Sequence, residues 1–306
     1  MIGYMITAHN NGSMCDRGEI HLESMNLDKL FLELKYPEET EQMIRNERTY
    51  RKIKEISETA YSGEEFKFEL CNRQPLTRLA VVTFLLLSKY GDYKEKGIPD
   101  HIIFDTFRDV SLRAGLYYRR TGRVGISKED VIWFRHIMNV KIFKIGVLQF
   151  QPFEMIYLDE ETIGEAYMRF QEEQKKSLPS KAPVINCHIQ YGADLDPQAV
   201  ERSFHKAWEF FQTYYPDIRF RAFLCGSWLL YPPMTEHLSS QSRIRQFAER
   251  FEIIGTYEDS GQAMENLFEE GKCRVLPRMT TLQKMAMDHK EWFGFACGII
   301  RMNERQ

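Results

Sequence analysis

None of the short motifs that mark nucleotide, metal or serine chemistry occurs in the 306 residues: there is no GxGxxG, no GxxxxGK[ST], no HExxH and no GxSxG. Their absence argues against dinucleotide and nucleoside-triphosphate enzymes, zinc hydrolases and α/β-hydrolases. The eight histidines are scattered without ligand spacing, so no metal is expected. Six cysteines, at positions 15, 71, 187, 225, 273 and 297, include no CxxC pair. They read as reduced thiols of a cytoplasmic protein, several of them small hydrophobes in strand-like runs. A dominant charge is also missing. The net charge is -3 and no basic stripe is visible, which argues against a nucleic-acid partner, and Arg119, Arg120 and Arg123 read as a solvated helix end. The longest apolar run, Leu79 to Leu87, is about half a membrane span. No basic segment followed by an apolar core opens the chain, so neither membrane insertion nor secretion is expected.

What is present is ordinary globular material, 43% hydrophobic and 28% charged, long enough for two cores of about 150 residues each. Residues 1–26 are polar, with Asn10, Asn11, Gly12 and Ser13 in sequence, and read as an N-terminal arm. From 27 to 140 the period is helical. Ile103, Phe107, Val110, Ala114 and Tyr117 fall at offsets 0, 4, 7, 11 and 14, which predicts an amphipathic helix over Pro99 to Tyr118. Leu79 to Leu87, apolar on every side, predicts a central helix, and Ser127 with Asp130 predicts a capping box ahead of Val131, Trp133, Phe134 and Ile137. After about residue 140 the period becomes 2. Ile142 to Phe150 and Phe153 to Leu158 are expected as two strands joined by a tight turn at Gln151 and Pro152. A helix from about 163 to 176 follows, then strand 184–190, helix 197–214, strand 219–229, helix 241–250, strand 251–257, helix 261–270 and a last strand near 292–302. The expected fold class is α+β or α/β: a helical N-terminal domain over 27–140, then a mixed β-sheet flanked by helices over 141–306.

The most informative stretch is Pro183 to Leu230, PVINCHIQYGADLDPQAVERSFHKAWEFFQTYYPDIRFRAFLCGSWLL. A short β-branched strand runs into a polar loop, and Asp196 with Pro197 forms a cap and first helical position. Val200, Phe204, Ala207, Trp208 and Phe211 then make one apolar stripe at offsets 0, 4, 7, 8 and 11. Strand, loop and helix N-terminus in that order is where α/β proteins place ligands.

NCHIQYG, a helix, and then FLCGSWLL resemble the C-terminal GNAT-like domain of a family of bacterial two-domain acyltransferases. SSQSRIRQFAERFEII (Ser239 to Ile254) resembles that family's helix and strand after the SWLL motif. KIGVLQFQ (Lys144 to Gln151) resembles the signature closing its helical N-terminal domain, although Val147 stands where arginine is often found. The resemblance covers most of the chain beyond about residue 70 and nothing of the first 25 residues. It implies a GNAT-like sheet whose middle strands splay to admit the pantetheine arm of acetyl-CoA or another acyl-CoA donor. The implied acceptor is a small-molecule amine or a peptide, with no metal. The alternative is a catalytically degenerate GNAT-like fold that binds an acyl-thioester, an acyl carrier protein or a partner protein without turnover.

Acyl transfer to an amine needs a deprotonated amine, a polarised carbonyl and a proton for the departing thiolate. Alternation puts Val184, Asn186 and His188 on one face of their strand and Ile185, Cys187 and Ile189 on the other. His188 is the candidate base, or else a half-buried histidine bonded to a neighbouring strand. Phe223, Cys225 and Ser227 share a face on the second strand, which offers Ser227 as a proton donor beside Cys225. The plainer reading makes Cys225 core packing and Ser227 a structural residue. The family resemblance offers Tyr231 for the same proton, against a role as a loop anchor beside Pro232 and Pro233. For the phosphates the resemblance implies the loop Gln190, Gly192, Ala193 and Leu195, mostly by backbone. Two aspartates, Asp194 and Asp196, repel an anion there and Pro197 lacks a donor, so either Arg202 or Lys206 reaches the phosphates instead or the donor is not free CoA. Trp133, Trp208, Trp228 and Trp292 read as core aromatics.

Overall fold

In the computed structural model, which describes residues 27–36, 38–157, 170–268 and 279–302, helices occupy the first half of the chain and one six-stranded sheet organises the second. The arm expected over 1–26, Cys15, Cys273, Leu158 and the outer parts of the helices expected over 163–176 and 261–270 lie outside the described residues. The helical half comprises Leu27–Leu34 (α1), Glu38–Arg45 (α2), Glu47–Ala60 (α3), a ribbon of Tyr61–Ser62 (β1) and Glu65–Phe66 (β2), Phe68–Cys71 (α4), Pro75–Glu95 (α5), Asp100–Thr121 (α6) and Lys128–Met138 (α7). The apolar run, interrupted by Thr83, lies within α5, where Leu79, Ala80, Val81, Val82 and Leu86 are buried between α1, α3, α6 and α7. Gly122, with φ +68°, ends α6 in a left-handed cap. Ser127 and Asp130 form the capping box that starts α7.

The sheet half runs Phe143–Ile145 (β3), Leu148–Glu154 (β4), Glu172–Ser177 (α8), Pro183–His188 (β5), Pro197–Tyr214 (α9), Ala222–Ser227 (β6), Pro232–Glu236 (α10), Arg243–Ala248 (α11), Glu252–Tyr257 (β7), Gly261–Leu267 (α12), Thr281–Asp288 (α13) and Phe295–Arg301 (β8). Strand order is β3-β4-β5-β6-β8-β7, antiparallel except for the parallel β5–β6 pair at the centre. The apolar stripe of α9 covers one sheet face. Phe204 sits 5.5 Å from Phe150 and 4.9 Å from Phe223, ring centre to ring centre. The opposite face carries a second cluster of Met155, Tyr157, Leu178, Val184, Leu224 and Ile299.

Several sequence expectations need correction. The chain does not turn at Gln151 and Pro152, which lie inside β4 opposite Asn186 and Ile185. It turns earlier, at Gly146 and Val147, because Gly146 supplies a φ of +64° between the paired Ile145 and Leu148. Pro152 is tolerated because the β3 ladder ends at Phe150, so its missing N–H faces an open edge. β4 ends at Glu154, and β6 ends at Ser227, where Trp228–Leu230 tightens into a 3₁₀ turn.

The hairpin turn is locked from α9. A Cβ on Gly146 would lie 2.3 Å from Ser203 Oγ, the oxygen that accepts the Val147 N–H at 2.9 Å. Gly146→Ala is expected to cost about 2–4 kcal/mol, from backbone strain plus the disturbed hydrogen bond. Urea unfolding measures it, and a loss below about 0.5 kcal/mol would contradict the tie between turn and helix.

Candidate active site

β5 and β6 lie side by side in the middle of the sheet, yet they pair only at Ile185 with Phe223 and Asn186 with Leu224. Past these two rungs the strands part. Gly226 is consequently exposed although it belongs to a central strand and its strand neighbours are buried. The fork opens at the carboxyl ends of two parallel strands, toward the loop 189–196 and the start of α9.

The two sheet faces divide the candidate residues. Register puts Asn186, His188, Leu224 and Gly226 on the face away from α9, and Ile185, Cys187, Phe223, Cys225 and Ser227 on the α9 side. Cys225 is 1% exposed, packed in the core beside Cys187, whose thiol is hydrogen-bonded to it and pushed well up by burial. Cys225 is thus a core residue on the α9 side of the sheet. Ser227 Oγ accepts the Leu229 N–H at 3.2 Å and keeps its own proton to donate. Tyr231 packs its ring against Gly294. Burial, with Glu258 adding to it, raises the Tyr231 hydroxyl, so it stays protonated at neutral pH.

His188 is held from the helical half of the chain. Its Nε2–H donates to Gln151 Oε1 at 3.0 Å, and Gln151 Nε2 donates to His136 Nδ1 at 3.1 Å. This fixes the Nε2–H tautomer and leaves Nδ1 of His188 as an acceptor. Trp133 meets the ring edge-on at 5.0 Å. The indole Nε1 donates to Asp109 Oδ2 at 2.8 Å, Arg113 donates to the same oxygen at 3.3 Å, and Gln190 Nε2 donates to Oδ1 at 2.9 Å. Arg113 also reaches Asp130 at 2.9 Å and lies 5.1 Å over the Trp133 ring. Burial first, then the neighbouring His136, lowers His188 to about 4, with Asp109 opposing. Burial and Arg135 bring His136 to about 4 as well.

In the loop, the Ala193 N–H returns to the Gln190 carbonyl at 3.1 Å, around Gly192 with φ +73°. Asp194 Oδ1 accepts the Asp196 N–H at 3.1 Å and Arg243 Nη1 at 2.6 Å, while Asp196 caps the Ala199 N–H at 3.0 Å. Leu195 is buried. Arg202 lines a shallow depression with Pro197, Gln198, Glu201 and Arg250, and Lys206 lies exposed one turn farther along α9. A cavity of about 1660 Å³ opens between α7, the free edge of β4 and the end of α9. Gln151 and His136 line it and also belong to the chain that ends on His188.

Sequence reasoning missed Asp109, Arg113, His136, Gln151 and Gly226, and took Trp133 for core. Trp133 is half-buried and hydrogen-bonded; Trp292 is stacked between His237 and His289 at 3.5 and 3.7 Å. One signal was available: the alternation that points His188 away from Ile185 also pairs it with glutamines of the LQFQ strand, Gln149 opposite and Gln151 diagonal.

Residues 25–140 match the N-acyltransferase N-terminal domain family and residues 142–293 match the GNAT-like C-terminal domain family. No curated protein matches the sequence. Similar solved structures are those of an acyltransferase in complex with decanoyl-CoA and teicoplanin, with CoA and 10C-teicoplanin, and with decanoyl-CoA. Each is 18% identical, covers 90% of this chain and 88% of its own, and superposes with a TM-score of 0.66.

The two lowered histidines set a pH dependence. Unfolded histidine titrates near 6.5, so as pH falls from about 6.5 to about 4 the unfolded chain binds more protons and the native state loses stability. The melting midpoint is expected to fall across that window, and to fall less in His136→Gln and His188→Gln. Equal slopes in wild type and both variants would contradict the half-buried neutral pair.

Proposed function

The chain belongs to the acyltransferases that join an N-acyltransferase N-terminal domain to a GNAT-like C-terminal domain, and we propose that it moves an acyl group from acyl-CoA to an amine at the β5–β6 fork. The observation that carries this reading is the opening of two central parallel strands after two rungs, beside a loop and a helix N-terminus. A pantetheine arm needs a slot of that kind, with unpaired main chain along its walls. The division of the chain near residue 140 belongs to the same proposal, as does a cytoplasmic setting, for which free Cys71, Cys187, Cys225 and Cys297 speak. No described helix is long and apolar enough to cross a membrane.

In this mechanism the thioester sits in the fork and the amine arrives on the face that carries His188. The amine nitrogen attacks the thioester carbon, the tetrahedral adduct collapses, and the thiolate takes a proton from Ser227 or Tyr231. An alkyl ammonium near pKa 10.4 must first lose a proton at a cost of about 4.6 kcal/mol at pH 7. That proton leaves to solvent, because with a pKa of about 4 the His188 ring is too weak a base to take it; Nδ1 of neutral His188 instead accepts a hydrogen bond from the free amine and orients it for attack. Gln190, Gly192, Ala193 and Leu195 bound the phosphate end. The decanoyl-CoA and teicoplanin held by the similar structures support a medium-chain donor and a small-molecule or peptide acceptor.

Purified protein is incubated with acetyl-, octanoyl- and decanoyl-CoA and a panel of amines, and free thiol is followed. Amine-dependent release is expected, and His188→Gln is expected to lower kcat/KM about 100-fold with KM for the acyl-CoA unchanged. Full turnover in the variant overturns the role of His188. CoA binding without amine-dependent release overturns the enzyme in favour of a binding-only fold.

A further inference from the structure

The loop that follows β5 is a poor anion site by itself. Pro197 has no N–H, Asp196 already occupies the Ala199 N–H, and Asp194 and Asp196 bring negative charge. Resting on the acyl-CoA reading above, we infer that the helical half supplies the anion subsite: Arg119 and Arg120 at the end of α6, with Arg123 just beyond, hold the phosphates of the donor's nucleotide end.

Two contacts lay α6 along this loop. Asp109 takes the Gln190 amide at 2.9 Å, and ten residues on, the Arg119 guanidinium lies 5.5 Å over the Tyr191 ring. Tyr191 is 54% exposed, so this rim faces solvent where the fork opens. Eleven residues make about three helical turns, so Arg120 falls on the stripe of Asp109 and Arg113, roughly 16 Å farther along the axis. Tyr118, Arg119, Arg120 and Arg123 are all exposed. Between Asp109 and Glu129 there is no acidic residue, while Arg113, Arg119, Arg120, Arg123 and Lys128 are basic, in a chain of net charge -3. Across the loop Arg243 pairs with Asp194 at 2.6 Å and offsets part of its charge. The rim therefore offers several guanidinium donors, the side chain suited to bidentate phosphate contacts.

Basic residues at a helix C-terminus also favour the helix dipole, so binding has to be separated from stability. Calorimetric titration compares CoA, 3′-dephospho-CoA and pantetheine on the wild type, Arg119→Gln, and the double variant Arg120→Gln/Arg123→Gln, with melting midpoints alongside. The expected result is a loss of about tenfold in CoA affinity per variant, a shallower salt dependence, unchanged pantetheine binding and unchanged midpoints. Wild-type affinity for CoA in both variants overturns the inference while leaving the acyl-CoA reading intact. Equal weakening of CoA and pantetheine overturns it as well, since the arginines would then act through the fold. No binding of CoA to the wild type removes the acyl-CoA reading and the inference together.

Discussion

A buried carboxylate is tolerated only when its lone pairs are filled, and Asp109, 1% exposed, fills them with donors from three directions. Arg113 comes from its own helix, Trp133 from α7, and Gln190 from the loop after β5. Removing any one donor would strand charge or lone pairs away from water. The helical half and the loop after β5 are thereby fixed to one another beside the β5–β6 fork. The consequences run outward from there. Trp133, oriented by its bond to Asp109, supports the ring of His188, and Gln190, held by the same carboxylate, sets where the loop leaves the sheet.

The second constraint is the pleat. Because side chains alternate across the sheet, the fork between β5 and β6 has His188 on one face and Ser227 on the other. A thioester lying in the opening would then meet its nucleophile from one side and its proton donor from the other, without the two groups neutralising each other. Burial lowers both histidines and so favours their neutral forms, while the two hydrogen bonds of Gln151 set which ring nitrogen carries the proton.

What was legible in the sequence was what short-range rules determine. The Asp196 cap, Pro197 at the first helical position, the α9 stripe, the Ser127 capping box and the two faces of β5 all follow from spacing over a few residues. Trp208 sits at the border of the stripe, partly buried against the core and lining the cavity with its other side. The β3–β4 turn was misplaced because two turn signals compete, Gly146 and Gln151–Pro152. Only the end of the β3 ladder shows why proline is accepted in the strand. Asp109 and Trp133 were not legible, since they meet Gln190 and His188 across 81 and 55 residues of chain, and His136 reaches His188 only through Gln151. Nor was Arg243, 49 residues beyond the Asp194 it pairs with.

The central claim, that acyl-CoA occupies the fork between β5 and β6, is tested most directly by hydrogen exchange of the whole protein with and without a non-reactive thioether analogue of octanoyl-CoA. Occupation of the fork is expected to slow exchange in peptides spanning Cys187–Ala193 and Cys225–Leu229, where main-chain groups face the gap, while the paired ends of both strands stay unchanged. Protection confined to the cavity beside β4, or none at the fork with the analogue bound, would contradict it.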